Sequence, residues 1–505
     1  MKKCMKKFIS AALSLIFCGY TAVFSASAKE PYDVYNYDRW GEPVPSQAGY
    51  TAERSVSGYD LGVGAMDFPS DIFYAHDGNF YIVDSGNNRI IAVNSDFDKA
   101  VKVYESFIMP DGSRTQLKKP SGIFISEENQ LIYIADTENS RVLVADLAGY
   151  VVREITKPDS EIYDTRRTFN PQRVIADKAG NVYVVLNNIT TGAAMFSPDG
   201  EFTGFYGANR VQPTAEIIGD YFSGLFMSEE KRARRTRNVP SGITSFDIDG
   251  DFIFTCTSSS TQSTDTVKKL NAAGKNIFAD NEAVFGDYAP MYDTSQNRLL
   301  ASAIVDIDIA EDGNINCLDL TMGRIFQYDE DCNLLFIVGT NADQVGGFKQ
   351  PAALESCGER LYVTDTMKNT VTIFKETDFG KIVHKASALH NGGYYEEALN
   401  PWLEVLERDG NYRRAYLGVA AAKLRSGDYE EAMEYAKIAD AGKIYDKAFE
   451  GYRMDFIKQN FELIILVIIL STIAVAGTIK SRKDKKAALA AEKASKTEKI
   501  VEKEE

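Results

Sequence analysis

The sequence predicts a mainly β chain: a six-bladed β-propeller, then a small α-helical module and a single transmembrane helix. Three observations predict it. A strand–turn–strand grammar recurs six times, a helical motif recurs twice after it, and one uncharged aliphatic run stands near the C-terminus.

The repeating unit is clearest from Phe68 to Val93. A short apolar run after Pro69 is closed by the turn Asp77-Gly78-Asn79, FYIVD follows with strand-like period, and a second turn, Ser85 to Asn88, leads through Arg89 into IIAV. Further copies open at Pro120, Pro171, Pro240, Ile304 and Pro351, so successive starts lie 51, 51, 69, 64 and 47 residues apart by subtraction. A hairpin of this kind cannot bury both faces alone, so the copies must stack radially about an axis. Closing such a ring normally takes one blade built from both chain ends, and the strand-like Tyr50 to Val56 is the candidate for that closure.

The openings, the DGN turn and the lines YIVDSGNNRI and YIADTENSRV resemble NHL repeats, from about Gly49 to Lys375. The resemblance is specific in the first two and last two copies. Copies three and four have Leu186-Asn187-Asn188 and Thr255-Cys256-Thr257 where the D-x-x-N-x-R signature belongs. The expected propeller domain is 49–378.

Charge excludes one class of partner. The net charge is −16; the ends up to Ala28 and from Lys480 carry +4 and +3, so the body between carries −23. A phosphate backbone demands a basic face, so no nucleic-acid partner is expected. Lys2, Lys3, Lys6 and Lys7 precede an apolar run, and Ala26-Ser27-Ala28 has signal-peptidase spacing, which makes 1–28 an export signal. Residues 29–48 hold Tyr32, Tyr35, Tyr37 and Trp40, with Tyr50 closing the aromatic run. These read as a clasp along the propeller's outer face, or else as a stacking surface for a sugar or partner.

Between copies three and four, 213–239 has apolar residues at helical spacing and then Lys231, Arg232, Arg234, Arg235 and Arg237. In so acidic a molecule, this arm suits an anionic partner: a wall polymer, lipid headgroups or an acidic protein face. The same residues would equally serve as a solvated helix pairing with the propeller's own carboxylates.

After Phe374 the period becomes helical. Gly393-x-Tyr395-Glu396-Glu397-Ala398 and Gly427-x-Tyr429-Glu430-Glu431-Ala432 stand 34 residues apart, and these lines resemble two tetratricopeptide repeats within 379–460. The resemblance implies a groove for peptides or partner proteins, capped by Ile444 to Lys458. The aliphatic run within 461–479 meets the lower length for a membrane span, and the cations after it mark a cytoplasmic side for the low-complexity tail 480–505. The expected protein is single-pass, with its body extracytoplasmic.

Aligned copies place Asp71, Gly122, Arg173, Gly242, Asp306 and Ala353 around the central channel. Gluconolactonase-type six-bladed propellers, which share the shape, hold a divalent cation there through Glu, Asn and Asp. Here Arg173 stands beside only two carboxylates, so no metal and no cofactor is expected; Asp71, Arg173 and Asp306 read as a self-satisfied cluster or a polar small-ligand site. His76, His384 and His390 form no zinc-like cluster, and no nucleophile elbow or P-loop occurs. No catalytic residue is assigned. Of the four cysteines after the signal, mostly buried thiols are expected, with Cys332 and Cys357 the one pair to test. The expected function is non-catalytic docking of an envelope or membrane protein. The alternatives are a lactonase-like metal-dependent hydrolase using Asp71 and Asp306, and a sensor of an extracellular sugar or peptide.

Overall fold

The computed structural model describes residues 32–501 apart from 161, 164–165, 210–240, 259–264, 279–282 and 294–296. The export signal expected over 1–28 and the basic arm Lys231 to Arg237 therefore lie outside the described residues. The chain divides into two compact units, one ending at Ala415 and the other beginning at Tyr416.

Among the described residues the first unit holds six antiparallel sheets of three or four strands, whose innermost strands meet one another in cyclic order. Blades one, two, three and five are four-stranded, running Pro69–Tyr104, Pro120–Ile155, Pro171–Tyr206 and Ile304–Val338; blade four has three strands between Ser245 and Leu270 among the described residues. Blade six takes three strands from Pro351–Glu376 and its fourth from the start of the chain. Tyr50–Ser57 pairs antiparallel with Thr370–Glu376, the closure expected from the sequence. Apolar clusters lie between neighbouring blades: Tyr81, Val83, Ile123 and Ile134 between one and two, and Ile72, Ile82, Tyr362 and Ile373 between six and one. This is why an isolated blade has no stable form.

The opening Pro-x of each clear copy has a local cause. In blades one, two, three, five and six the register slips just after the opening residue, as between Pro69 and Asp71. Such a bulge bends the strand and re-aims the next side chain, here toward the channel. Blade four departs from the alignment. Its inner strand begins at Ser245, which pairs with Cys256, so Ser245 rather than Gly242 occupies the level of Asp306, which pairs with Leu318. Pro240, the opening read from the sequence, lies outside the described residues.

The aromatic segment forms a small hairpin, Tyr35–Tyr37 with Pro43–Pro45. Tyr37 joins the apolar cluster of blades four and five, and Tyr35 and Tyr37 both donate to Asp287, at 2.8 and 2.6 Å. Asn36 donates to the Leu335 carbonyl on the outer strand of blade five, while Trp40 stays largely exposed. Cys256, Cys317, Cys332 and Cys357 are all free thiols, so Cys332 and Cys357 are not joined.

Helices α1 (Asp378–Asn391) and α2 (Tyr395–Arg408) belong to the propeller's unit. Thr377 caps α1 by accepting from the Gly380 N–H at 3.0 Å, and its own N–H donates to the Gly49 carbonyl at 2.9 Å. Asp329 of blade five, fully buried, accepts from Arg414 Nε at 2.7 Å, and the Arg414 guanidinium lies 5.0 Å from the centre of the Trp402 ring. α3 (Arg413–Ser426) leads into the second unit, where α4 (Tyr429–Ala439) buries Ala432, Ala436 and Ala439. The Tyr429 ring packs against Gly451 of α5 (Gly442–Gln459). Gly393 and Gly427, at φ of 80° and 84°, turn the chain between helices at the spacing read from the sequence. Finally α6 (Phe461–Val501) is, among the described residues, the one helix long and apolar enough to cross a membrane, and none of its apolar stretch is buried.

Candidate functional site: the propeller channel

Each inner strand sends alternate side chains into the channel, so its lining comes in levels two residues apart. The first level is Asp71, Gly122, Arg173, Ser245, Asp306 and Ala353, each next to the bulge or at the equivalent register. The second level is Phe73, Phe124, Ile175, Asp247, Asp308 and Glu355. Half of that ring is apolar, with Phe73 and Phe124 in edge contact at 5.2 Å, and the other half is three carboxylates on consecutive blades.

These carboxylates join blade to blade. Asp71 accepts from the Ile123 N–H at 2.8 Å, Asp247 from Ile309 at 2.8 Å, and Asp306 from Leu354 at 2.8 Å. Asp308 accepts from Ser356 at 3.1 Å and Glu355 from Tyr74 at 3.0 Å, so in every case the donor belongs to the next blade round the ring. Burial pushes the acids up: Asp71 to about 7, Asp247 to about 8 and Asp308 to about 6, with Asp306 and Glu355 also raised.

Arg173 is the cation of the first level. Its Nε lies 3.8 Å from Asp71 Oδ1, and its two terminal nitrogens donate to the carbonyls of Ser121 at 2.5 Å, Ser70 at 3.2 Å and Ala352 at 3.1 Å. One side chain of blade three thus bridges blades one, two and six across the axis. It also lines a cavity of about 590 Å³ at the channel mouth, together with neutral polar groups such as Ser121, Asn188 and Thr366 and apolar ones such as Ile189, Ile243 and Leu320.

Of the three channel residues read from the sequence, the structure brings Asp71 and Arg173 into direct approach and sets Asp306 in the same level, held by its own backbone partner. Asp247, Asp308 and Glu355 went unread, although the signal was present: they stand two residues beyond the first level on the same strands. Among the described residues no three His, Cys, Asp or Glu side chains are grouped to hold a metal ion.

No protein-family model matches the chain, and no curated protein matches it in sequence. Solved structures do. Virginiamycin B lyase from Staphylococcus aureus aligns at 12% identity over 64% of this chain and 99% of its own, with a TM-score of 0.39. A Bacteroides thetaiotaomicron structural-genomics protein of unknown function aligns at 13% identity over 68% of this chain and 76% of its own, with a TM-score of 0.40. Hydrazine synthase from Kuenenia stuttgartiensis aligns at 14% identity over 62% of this chain and 96% of its own, with a TM-score of 0.36. Likeness of this degree says nothing about ligand or chemistry.

Proposed function

We propose that this chain is a membrane-anchored, extracytoplasmic, non-catalytic scaffold that docks an envelope or membrane protein. The observation that carries this reading is the way the chain on either side of α1 and α2 is built into the propeller. Thr377 before α1 donates to the Gly49 carbonyl at the closing strand of blade six; after α2 the Tyr412 hydroxyl donates to the Leu335 carbonyl of blade five at 2.7 Å, and Arg414, at the start of α3, pairs with buried Asp329. Propeller and helices so joined form one rigid platform, which lowers the ordering cost of binding a second protein. The tetratricopeptide-like line of the following helices suits the same role, and α6 would be the tether. Lys231, Arg232, Arg234, Arg235 and Arg237 would supply an attraction for an anionic partner, whether a wall polymer, lipid headgroups or an acidic protein face. Crosslinking in the native membrane, followed by capture of the solubilised full chain, is expected to recover one stoichiometric partner. Repeated recovery of the chain alone would overturn the reading.

The mouth cavity favours a second reading, recognition of a small neutral polar solute such as a sugar or peptide. Its wall mixes hydroxyls and amides, which suit hydrogen bonding, with apolar side chains such as Ile189, Ile243 and Leu320 against which a sugar ring or peptide can pack, and the one cation lining it is already engaged. Thermal-shift measurements with a panel of sugars and short peptides test it. The hydrolase reading rests on Asp71 and Asp306, each of which has one oxygen taken up by an inter-blade N–H, with Arg173 beside the other oxygen of Asp71; calorimetric titration with calcium and zinc is its test.

A further inference from the structure

One row of side chains in blade five has no counterpart in the other blades. Asp308, Asn316 and Gln327 lie directly opposite one another on the first, second and third strands. In blades one, two, three, four and six the second-strand residue of this row is Tyr81, Tyr133, Tyr183, Phe254 and Tyr362. An aromatic filler stabilises the row by burial, whereas buried amides gain little unless every donor and acceptor is matched. In blade five they are matched. Asn316 Nδ2 donates to Asp308 Oδ2 at 2.8 Å, Gln327 Nε2 donates to Asn316 Oδ1 at 2.9 Å, and Gln327 Oε1 lies 2.7 Å from His384 Nε2 on α1. Asn316 and Gln327 are almost completely buried.

The carboxylate at one end dictates the direction of the whole chain. An ionised Asp308 only accepts, so Asn316 presents its amino group inward and its carbonyl outward, Gln327 does likewise, and His384 Nε2 must carry a proton. The other ring nitrogen, Nδ1, lies 2.6 Å from Glu376 Oε1, which has no well-aligned hydrogen-bond donor. Two lone pairs at that separation repel, so this contact holds a proton too. His384 is then an imidazolium while Asp308 is an anion. The opposite direction is fully bonded as well: a protonated Asp308 donates to Asn316, both amides turn over, and Gln327 donates to a His384 Nε2 that has lost its proton. Conversion leaves the total charge unchanged, since His384 gives up one proton and Asp308 takes one. Tyr50, whose hydroxyl lies 3.1 Å from Gln327 Nε2, accepts in one state and donates in the other.

We propose that this row is a relay that locks the ionisation of Asp308 in the channel to the charge of His384 on α1, so that the helical module reads the charge of the channel. Asp247, Asp306 and Glu355 surround the inner end. Glu311, Asp312, Glu376 and Lys381 line the cavity of about 260 Å³ beside the outer end. A cation entering the channel would favour the ionised pair, and an apolar or anionic occupant the neutral one.

The test exploits the chain's three histidines. Full-length protein with 15N-labelled histidine, in nanodiscs, is expected to show both ring N–H groups protonated on His384. Asp308→Asn reverses the row, because the Ser356 N–H keeps the amide oxygen and leaves the amino group facing Asn316; His384 should lose its Nε2 proton and keep that on Nδ1. Gln327→Leu should abolish this effect of Asp308→Asn, with the His76 and His390 signals reporting an intact fold. An unchanged His384 in Asp308→Asn, or a change that persists alongside Gln327→Leu, overturns the relay. Should Asp308→Asn not fold, the unsubstituted protein decides: a His384 without a proton on Nε2 while the 13C signal of the Asp308 carboxyl reports an ionised group overturns it equally.

Discussion

Blades two and three begin alike and diverge at the end of the second strand. In blade two, Asp136 is fully buried and accepts from the Lys118 N–H and from Arg141 Nε, both at 2.7 Å, tying the chain that enters the blade to its third strand. Asp84 and Arg89 repeat the knot in blade one. Blade three has Leu186 there, and the corner is closed by backbone instead, with the Asn187 N–H donating to the Asn170 carbonyl at 3.0 Å. The freed corner residues, Asn187, Asn188 and Thr190, line the mouth cavity. Where the knot is kept, a buried carboxylate ties the entering chain to the third strand; where it is lost, a backbone hydrogen bond closes the corner, and three of its residues line the cavity together with Ser85 from the knotted corner of blade one.

The largest way to break this contrast is Asp136→Ala, which strips the buried carboxylate from Arg141 Nε and from the Lys118 N–H and leaves Arg141 with Glu154 as its carboxylate partner. Chemical denaturation should show a loss of about 3–5 kcal/mol. Gly122→Ala comes next. A Cβ there would stand 2.5 Å from the Gln172 carbonyl oxygen, and overpacking at such a seam costs about 1–3 kcal/mol on the same assay. Third is pH. Asp71 and Asp247 are raised in the folded state to about 7 and 8 from an ordinary 3.8, so the native protein holds protons that the unfolded chain releases. Their contribution is complete below pH 4 and is lost as pH rises through about 7 to 8; melting at pH 5.5 should exceed that at pH 8 by a few degrees, on the order of 1–2 kcal/mol. Smallest in stability is Asn187→Ala combined with Thr190→Ala, expected within about 0.5 kcal/mol of the parent, as for other substitutions at the surface. That pair sharpens the comparison if it removes a solute's thermal shift while leaving the melting point in place.

Much of the wheel was legible because its grammar is local: a turn, an alternating run, an Asp followed by Arg at fixed offset. The closing strand was legible too, since Tyr50 to Val56 is strand-like and precedes the first complete copy. Blade four was misread by three residues because its channel position was counted from Pro240, while the register is set by the pairing of Ser245 with Cys256, which no local pattern announces. Asp71, Arg173 and Asp306 followed from aligned copies. Asp247, Asp308 and Glu355 needed one further step of alternation, and the link to His384 needed the fold itself, because a helix beyond the sixth blade returns to meet the fifth.

The way the ring is shut also sets an order of events. Thr377 bonds to the carbonyl of Ala48 across 329 residues of chain, and the pairing of Tyr50–Ser57 with Thr370–Glu376 spans nearly as many. During synthesis the first strand to emerge must therefore wait, unpaired, until almost the whole wheel has been made. Five blades can gather beforehand, but the latch is thrown last, and until then a bare strand edge is open to whatever neighbour reaches it first.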